Sequence, residues 1–401
     1  MEEAALKRKK IIPVLISILL AVNMLVVTGC DFGRMKKKVV DYWEEQSSEY
    51  TAFTKELTAG TILQKTVPVE SISEDKFAYQ QLDDETRQVY DEILHAVLNH
   101  MDKITVSTLN AEVLKSAFIH VSADYGGLFW ISGYSYTEYT RSDEVVSIEF
   151  APKYTMDYEQ RKEMQQCIDQ EVESFLSGIS KNDSDYAKAK YVFENLIREV
   201  DYDTEASNSQ NIISVFCEKK TVCQGYACAT LYLLNQLNIP GVIVTGSANG
   251  EAHAWNLVLL DGEYYYMDTT WGNSTYLDEE SQEEKFVNYG YLAFTTEEMN
   301  ETHTPDSQLV LPECTSIEDN YYVQEGLYFD EWLPDEIGDI YGQAQNNEAG
   351  RASVKFATTD LYEKAKKYFI DQQRLEDYCE VTGNVYYLGE AASRVLTISI
   401  K

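Results

Sequence analysis

The chain has 401 residues, 44% of them hydrophobic and 25% charged, which suits two or three globular domains and excludes a collagenous, low-complexity or wholly disordered chain. Its 33 Lys and Arg against 67 Asp and Glu leave a formal charge of −34, which repels phosphate backbones and argues against nucleic acid as a partner. Thirty tyrosines and only seven prolines suit ordered, strand-containing structure.

The first 29 residues read as an address rather than as fold. Lys7, Arg8, Lys9 and Lys10 precede an apolar run from Ile11 to Val27, and Val27-Thr28-Gly29-Cys30 closes it with small residues before a cysteine. This segment resembles the lipobox of bacterial lipoproteins. The resemblance implies cleavage before Cys30, lipid attachment there, and a protein held on the extracytoplasmic face of the cell membrane. An uncleaved anchor is the alternative reading, because the apolar run sits at the short limit for a span. Removing residues 1–29 takes away four positive and two negative charges, so the mature chain would carry −36. Residues 30–81 are expected to form a tether, with one helical pattern at Val39 to Leu57.

From Leu82 the pattern tightens into an α+β unit at 82–182. It predicts a helix through Asn99 led by Asp83-Asp84, a strand Ile104 to Val106 and a helix Ala111 to Val121. A strand pair over Leu128 to Tyr139 and Val145 to Phe150 and a long helix Tyr158 to Leu176 complete it. The segment 305–401 repeats that order: helix Asp335 to Asn346, strand Ala352 to Ala357, helix Thr359 to Leu375, strands Val385 to Leu388 and Val395 to Ile400. Neither unit spaces His, Cys or paired carboxylates in a way that points to catalysis.

The chemistry-bearing residues lie between them, at 183–304. An amphipathic helix Asp185 to Asp201 leads to Val200-Asp201-Tyr202-Asp203 and then to Thr221-Val222-Cys223-Gln224-Gly225-Tyr226-Ala227. From Gly225 to Asn238 apolar residues recur at helical spacing until Pro240. That places Cys223 at a helix N-terminus as a surface-accessible thiol. There the helix dipole and unpaired N–H groups favour a thiolate and can receive an oxyanion.

Gly241 to Thr245 and Ala252 to Leu260 read as strands joined at Asn249-Gly250, and Asp261-Gly262 is a two-residue hairpin signal before Glu263 to Thr269. A two-residue loop pairs Leu260 with Glu263 and sets Trp255 opposite Asp268. His253 then lies diagonal to Asp268 on one sheet face, close enough for a carboxylate to reach an imidazole. With Cys223 as nucleophile, the spacing yields a Cys-His-Asp arrangement for covalent acyl transfer.

Val222-Cys223-Gln224-Gly225-Tyr226-Ala227, Glu251-Ala252-His253-Ala254-Trp255-Asn256 and Tyr266-Met267-Asp268-Thr269-Thr270-Trp271 resemble, in order and separation, the three motifs of the transglutaminase-like superfamily. The resemblance covers about Asp185 to Glu298. It implies a papain-like core, a nucleophile helix packed on an antiparallel sheet, with Cys223 as nucleophile, His253 as general base and acid, and Asp268 as the group orienting the imidazole. The activity it implies is acyl transfer through a thioester. A lipid-anchored enzyme hydrolysing peptide or amide bonds of protein or wall peptide at the cell surface is the leading expectation; a cross-linking transglutaminase and a non-catalytic surface binding module are the alternatives.

Tyr202 and Gln224 are candidate oxyanion donors, Trp255 and Trp271 candidate cleft or core residues, and Asn256 carries no assigned chemistry. No cofactor or metal is expected: there is no calcium loop, and Asp278-Glu279-Glu280 reads as a solvated run. Cys167, in an amphipathic helix, and Cys228, in an apolar one, are expected to be buried free thiols. His95, His100, His120 and His303 are expected to be structural or solvated, His303 in a polar loop with Pro305.

Overall fold

The computed structural model describes residues 50–57, 69–277, 283–344, 350–381 and 384–400. The expected signal segment, Cys30 and the first part of the Val39–Leu57 pattern lie outside these residues. Among the described residues no helix is long and apolar enough to cross a membrane. The chain divides into two compact units, one within Val40–Gly326 and one over Leu327–Lys401.

The first unit opens with strand β1 (Tyr50–Glu56), where the end of a helix was expected. The segment Tyr-Thr-Ala-Phe-Thr is rich in aromatic and β-branched residues, which favour the pleated surface, and Tyr50 stacks on Tyr134 at 5.8 Å. Helix α1 (Asp84–Leu98) begins where the Asp83 side chain accepts the Thr86 N–H. Strand β2 (Ile104–Val106) follows, then helix α2 (Ala111–Asp124), capped by Asn110 through the Glu112 N–H. Strands β3 (Ile131–Arg141) and β4 (Glu144–Tyr154) form a hairpin, and helix α3 (Tyr158–Phe175) starts at a reciprocal capping box between Asp157 and Gln160. The sheet order is β1-β3-β4-β2, with β1 parallel to β3 and the other pairs antiparallel.

Helix α4 (Asp185–Glu199), capped by Ser184, leads into strand β5 (Asp201–Tyr202). A π-turn over Ser214–Glu218 ends at Lys219, whose φ of 57° is left-handed, and delivers strand β6 (Lys220–Thr221) parallel to β5. Helix α5 (Cys223–Gln236) comes next, then strands β7 (Gly241–Ala248), β8 (Glu251–Leu260) and β9 (Glu263–Met267). A one-turn helix (Thr269–Gly272), a hairpin of β10 (Asn273–Leu277) with β11 (Glu283–Val287), a short helix (Thr296–Asn300) and strand β12 (His303–Pro305) follow. The second sheet is antiparallel throughout, in the order β12-β7-β8-β9.

One hydrophobic cluster joins the expected N-terminal unit to the expected core: Val97, Phe150 and Phe175 belong to it together with Phe193, Leu233 and Met267. The β7–β9 sheet is covered on both faces. Ala254, Val258 and Met267 belong to that large cluster, whereas Val244, Trp255 and Leu257 pack with Phe294, Met299 and Cys314.

The second unit orders strands β13 (Tyr328–Phe329), β14 (Arg351–Phe356), β15 (Val385–Glu390) and β16 (Val395–Ile400) as β13-β14-β16-β15. Helices α6 (Pro334–Gln343) and α7 (Thr359–Lys366) pack on it around Tyr341, Val354, Phe369 and Ile398. The helix expected to run to Leu375 instead passes into a π-turn at Lys367–Asp371, and Gln373 breaks it with a φ of 55°.

Candidate active site

The nucleophile candidate is positioned by the chain that precedes it. Cys223 is the first residue of α5, after the extended Val222, and the first bond back along the helix runs from the Tyr226 N–H to the Val222 carbonyl at 3.1 Å. The Cys223 and Gln224 N–H groups therefore lie ahead of the intrahelical ladder. Thr221 Oγ1 donates to the Ser209 carbonyl at 2.9 Å and lies 2.7 Å from Ser214 Oγ, which fixes the approach of β6. Gly225 is required at this crossing: a Cβ there would lie 1.9 Å from Thr221 Oγ1 and 2.9 Å from the Ser209 oxygen. Contrary to the expected surface-accessible thiol, Cys223 is only 4% exposed, because Tyr202, paired with Thr221 across β5 and β6, and the sheet close around the helix tip.

The second and third residues come from the β8–β9 hairpin. Asp261 and Gly262 take φ values of 45° and 92°, the two left-handed positions of a type I′ turn, so the loop has two residues. Pairing then runs from Leu260 with Glu263 to Asn256 with Met267, and Asp268 follows directly. Asp268 caps the helix that begins at Thr269: its Oδ1 accepts the Thr270 and Trp271 N–H groups at 2.9 and 3.1 Å. That capping leaves Oδ2 for histidine, and His253 Nε2 lies 2.8 Å from it. Cys223 is also near enough to act on the imidazole.

The electrostatics follow from burial and pairing. Burial alone would lower the His253 pKa, but the charge and hydrogen bond of Asp268, with those of Cys223, outweigh it and raise it to about 10. Burial alone would raise Asp268; the positive charge and hydrogen bond of His253, and the bond from His303, instead hold its carboxyl well below the usual carboxylate range.

His303 is the residue sequence reasoning missed. It sits on β12, 1% exposed, and its Nε2 lies 3.1 Å from the same Asp268 Oδ2, while its Nδ1 lies 2.8 Å from Thr302 Oγ1. Since a carboxylate only accepts, Nε2 carries the proton and Nδ1 is left to face the threonine hydroxyl. The expected polar loop is an edge strand because Thr304 pairs with Ser247, which turns His303 inward. No local signal reveals this, since His303 is 35 residues from Asp268 in sequence. Among the described residues His253, Asp268 and His303 are the group whose potential ligand atoms lie within 4.8 Å of one another; a cation there would have to replace both hydrogens that Oδ2 now receives.

The remaining candidates divide. Burial raises the Tyr202 phenol well above its ordinary value, followed by the negative charges of Cys223 and Asp268; the residue is 37% exposed and so borders both the site and solvent. Gln224 turns its amide to Cys228 Sγ at 3.4 Å, along its own helix. Trp255 is core, 1% exposed, and stacks on His253 with ring centroids 5.9 Å apart. Trp271 is half-buried, with its ring 5.9 Å from His253 and 4.8 Å from His303. Asn256 gains a role that its sequence did not suggest, because its Nδ2 donates to the Ala227 carbonyl at 3.0 Å and ties the histidine strand to the cysteine helix.

Residues 173–269 match the transglutaminase-like superfamily and form a transglutaminase-like domain within the mixed α and β fold. Three solved structures are similar over part of the chain. One is a TGase, 15% identical, with 37% of this chain and 55% of that one covered at a TM-score of 0.26. A second is described as a candidate cysteine protease from Cytophaga hutchinsonii, 17% identical, with 36% and 58% covered at a TM-score of 0.23. The third is the periplasmic domain of TgpA from Pseudomonas aeruginosa, 14% identical, with 31% and 53% covered at a TM-score of 0.21. The chain thus spans a little over half the length of each. No curated protein matches it.

Proposed function

We propose that this chain is a cysteine-dependent acyl-transfer enzyme that hydrolyses peptide or amide bonds of protein or wall peptide, held at the outer face of the cell membrane by a lipid on Cys30. The observation that carries the chemistry is the buried relay from Cys223 through His253 to Asp268, with the imidazole held as a cation by its carboxylate partner. The anchor and location rest on the Val27-Thr28-Gly29-Cys30 segment alone.

In this reading the Cys223 proton already rests on His253, and the thiolate attacks the scissile carbonyl carbon. The carbonyl oxygen becomes an oxyanion facing the Cys223 and Gln224 N–H groups at the helix tip, with the Tyr202 hydroxyl as a further donor. His253 then returns the proton to the departing amine, leaving a thioester on Cys223. Water, deprotonated by His253, attacks the thioester, and the acid departs as sulfur leaves as a thiolate beside the protonated His253. Asp268 holds the proton on Nε2 and so keeps Nδ1 facing the sulfur. Hydrolysis is favoured over cross-linking because the sequence offers neither a calcium loop nor a tryptophan upstream of Cys223 like that of the cross-linking enzymes.

The test is to incubate the chain with peptide substrates, and separately with a glutamine-containing protein and a fluorescent primary amine. Cleavage that disappears in Cys223→Ala is the expected result. Cys223-dependent amine labelling without cleavage would replace hydrolysis by transamidation, and neither activity across varied substrates would leave a binding module.

A further inference from the structure

Two cysteines outside the relay face one another. Cys167 on α3 and Cys217 in the π-turn have sulfurs 3.0 Å apart, about 1 Å beyond a disulfide bond length near 2.05 Å. Cys167 is exposed, not the buried thiol expected of it, and Cys217 is half-buried. One face of α3 meets the turn at three consecutive levels. Met164 Sδ lies 3.8 Å from Cys217 Sγ, Cys167 comes next, and Glu171 Oε2 pairs with Lys219 Nζ at 3.1 Å. The helix and the turn are thus already aligned on both sides of the sulfur pair, and the turn is the piece of chain that feeds β6 and then Cys223.

We propose that Cys167 and Cys217 are a disulfide-forming pair, closing a segment of 50 residues and fastening the approach to Cys223 onto α3. The oxidant is a low-molecular-weight or protein disulfide. The exposed Cys167 thiolate attacks one of its sulfurs and releases the first thiol. Cys217 then attacks the Cys167 sulfur of the mixed disulfide and expels the second thiol. Two thiols of the chain lose two protons and two electrons, and the added disulfide is reduced to two thiols. Burial, followed by the neighbouring Cys167 sulfur, pushes the Cys217 thiol up to about 12, which makes Cys167 the one that meets the oxidant and Cys217 the one that resolves.

The full chain is treated with oxidised glutathione, blocked with iodoacetamide, digested with trypsin and analysed by mass spectrometry. The expected product links peptide 163–181 to peptide 199–219, and its midpoint of thermal unfolding lies about 4–8 °C above that of the reduced protein. Cys217→Ser should carry glutathione on Cys167 and lose the thermal shift. Cys167→Ser, which changes an exposed side chain, should lose both the link and the shift should the first variant not fold. Free, alkylated Cys167 and Cys217 after oxidation, or links to other cysteines, would overturn the pairing. A link with no thermal shift would overturn the fastening.

Discussion

Replacing Asp268 with Asn removes one charge from the centre of the site without changing its shape. Oδ1 of the new amide can still accept the Thr270 and Trp271 N–H groups, so the cap on the following helix survives. The amide nitrogen, however, faces His253 Nε2 and His303 Nε2, which both now donate to a carboxylate oxygen. An amide N–H₂ cannot accept them, so His253 must give up its Nε2 proton and keep only the one facing Cys223, a neutral tautomer that can no longer hold the proton of the thiol. Asp268 supplies the two largest raising effects on His253, whose pKa lies at about 10 rather than the ordinary 6.5. The gap is three to four decades of proton affinity, on the order of 4–5 kcal/mol. With that support gone and burial remaining, the imidazole should titrate at or below its ordinary value. Nitrogen-15 NMR of the His253 side chain follows this without a substrate: the native ring should stay protonated through pH 8, and the variant should be neutral by pH 7. Turnover at neutral pH should fall by about 10³–10⁴. The linkage has a sign as well. Asp268, lowered in the fold, stabilises above about 3.8, and His253, raised, stabilises fully below about 6.5 and loses its contribution as pH rises through about 10. The melting gap between native protein and variant should therefore be widest between those values and narrow above them. A His253 titration unchanged by the substitution would refute the assignment of its charge to Asp268.

Cys223→Ala should abolish turnover and thiol-directed labelling at this position while lowering stability by no more than about 1 kcal/mol, since only one buried sulfur is lost; this is checked by labelling and denaturant titration. His303→Leu should leave Cys223 and His253 in place but remove one donor to Asp268, lowering kcat about tenfold with little change in KM. His303→Gln, which keeps an N–H donor, should recover part of it, and equal losses in both would refute a hydrogen-bonding role. Gly225→Ala should destabilise by about 2–3 kcal/mol through the clash with Thr221 Oγ1, and adding Thr221→Ala should restore part of that in a thermal melt.

The site was legible where its geometry is local. The Asp261-Gly262 turn sets the β8–β9 register, and the register alone brings His253 to Asp268; the change from loop to helical spacing marks Cys223 as a helix tip. His303 was not legible, because β12 reaches the site by pairing with β7, a contact across the fold that leaves no periodic trace in a three-residue strand. Strand β1 misled for a related reason. Its side chains beyond Tyr50 are solvent-exposed, so apolar spacing said little, and the strand is held by parallel pairing with β3 from Tyr50 with Tyr134 to Glu56 with Thr140. Cys167 was misplaced because an amphipathic pattern locates the buried stripe of α3 only on average; Ile168 and Val172 fill that stripe and leave Cys167 outside it.

The crowding at Gly225 separates ancestry from chemistry. The glycine answers to the Thr221 hydroxyl and the Ser209 carbonyl, neither of which takes part in the proposed reaction. A descendant that exchanged Cys223 for another small residue would still have to keep Gly225, or rebuild the whole crossing before the helix. The glycine of the motif would therefore persist in lineages that had abandoned catalysis, and a search that rewards it equally with the cysteine would gather silent scaffolds together with enzymes. Sorting such chains by function requires the thiol, the imidazole and the carboxylate to be read together, with the glycine set aside as a record of shared folding.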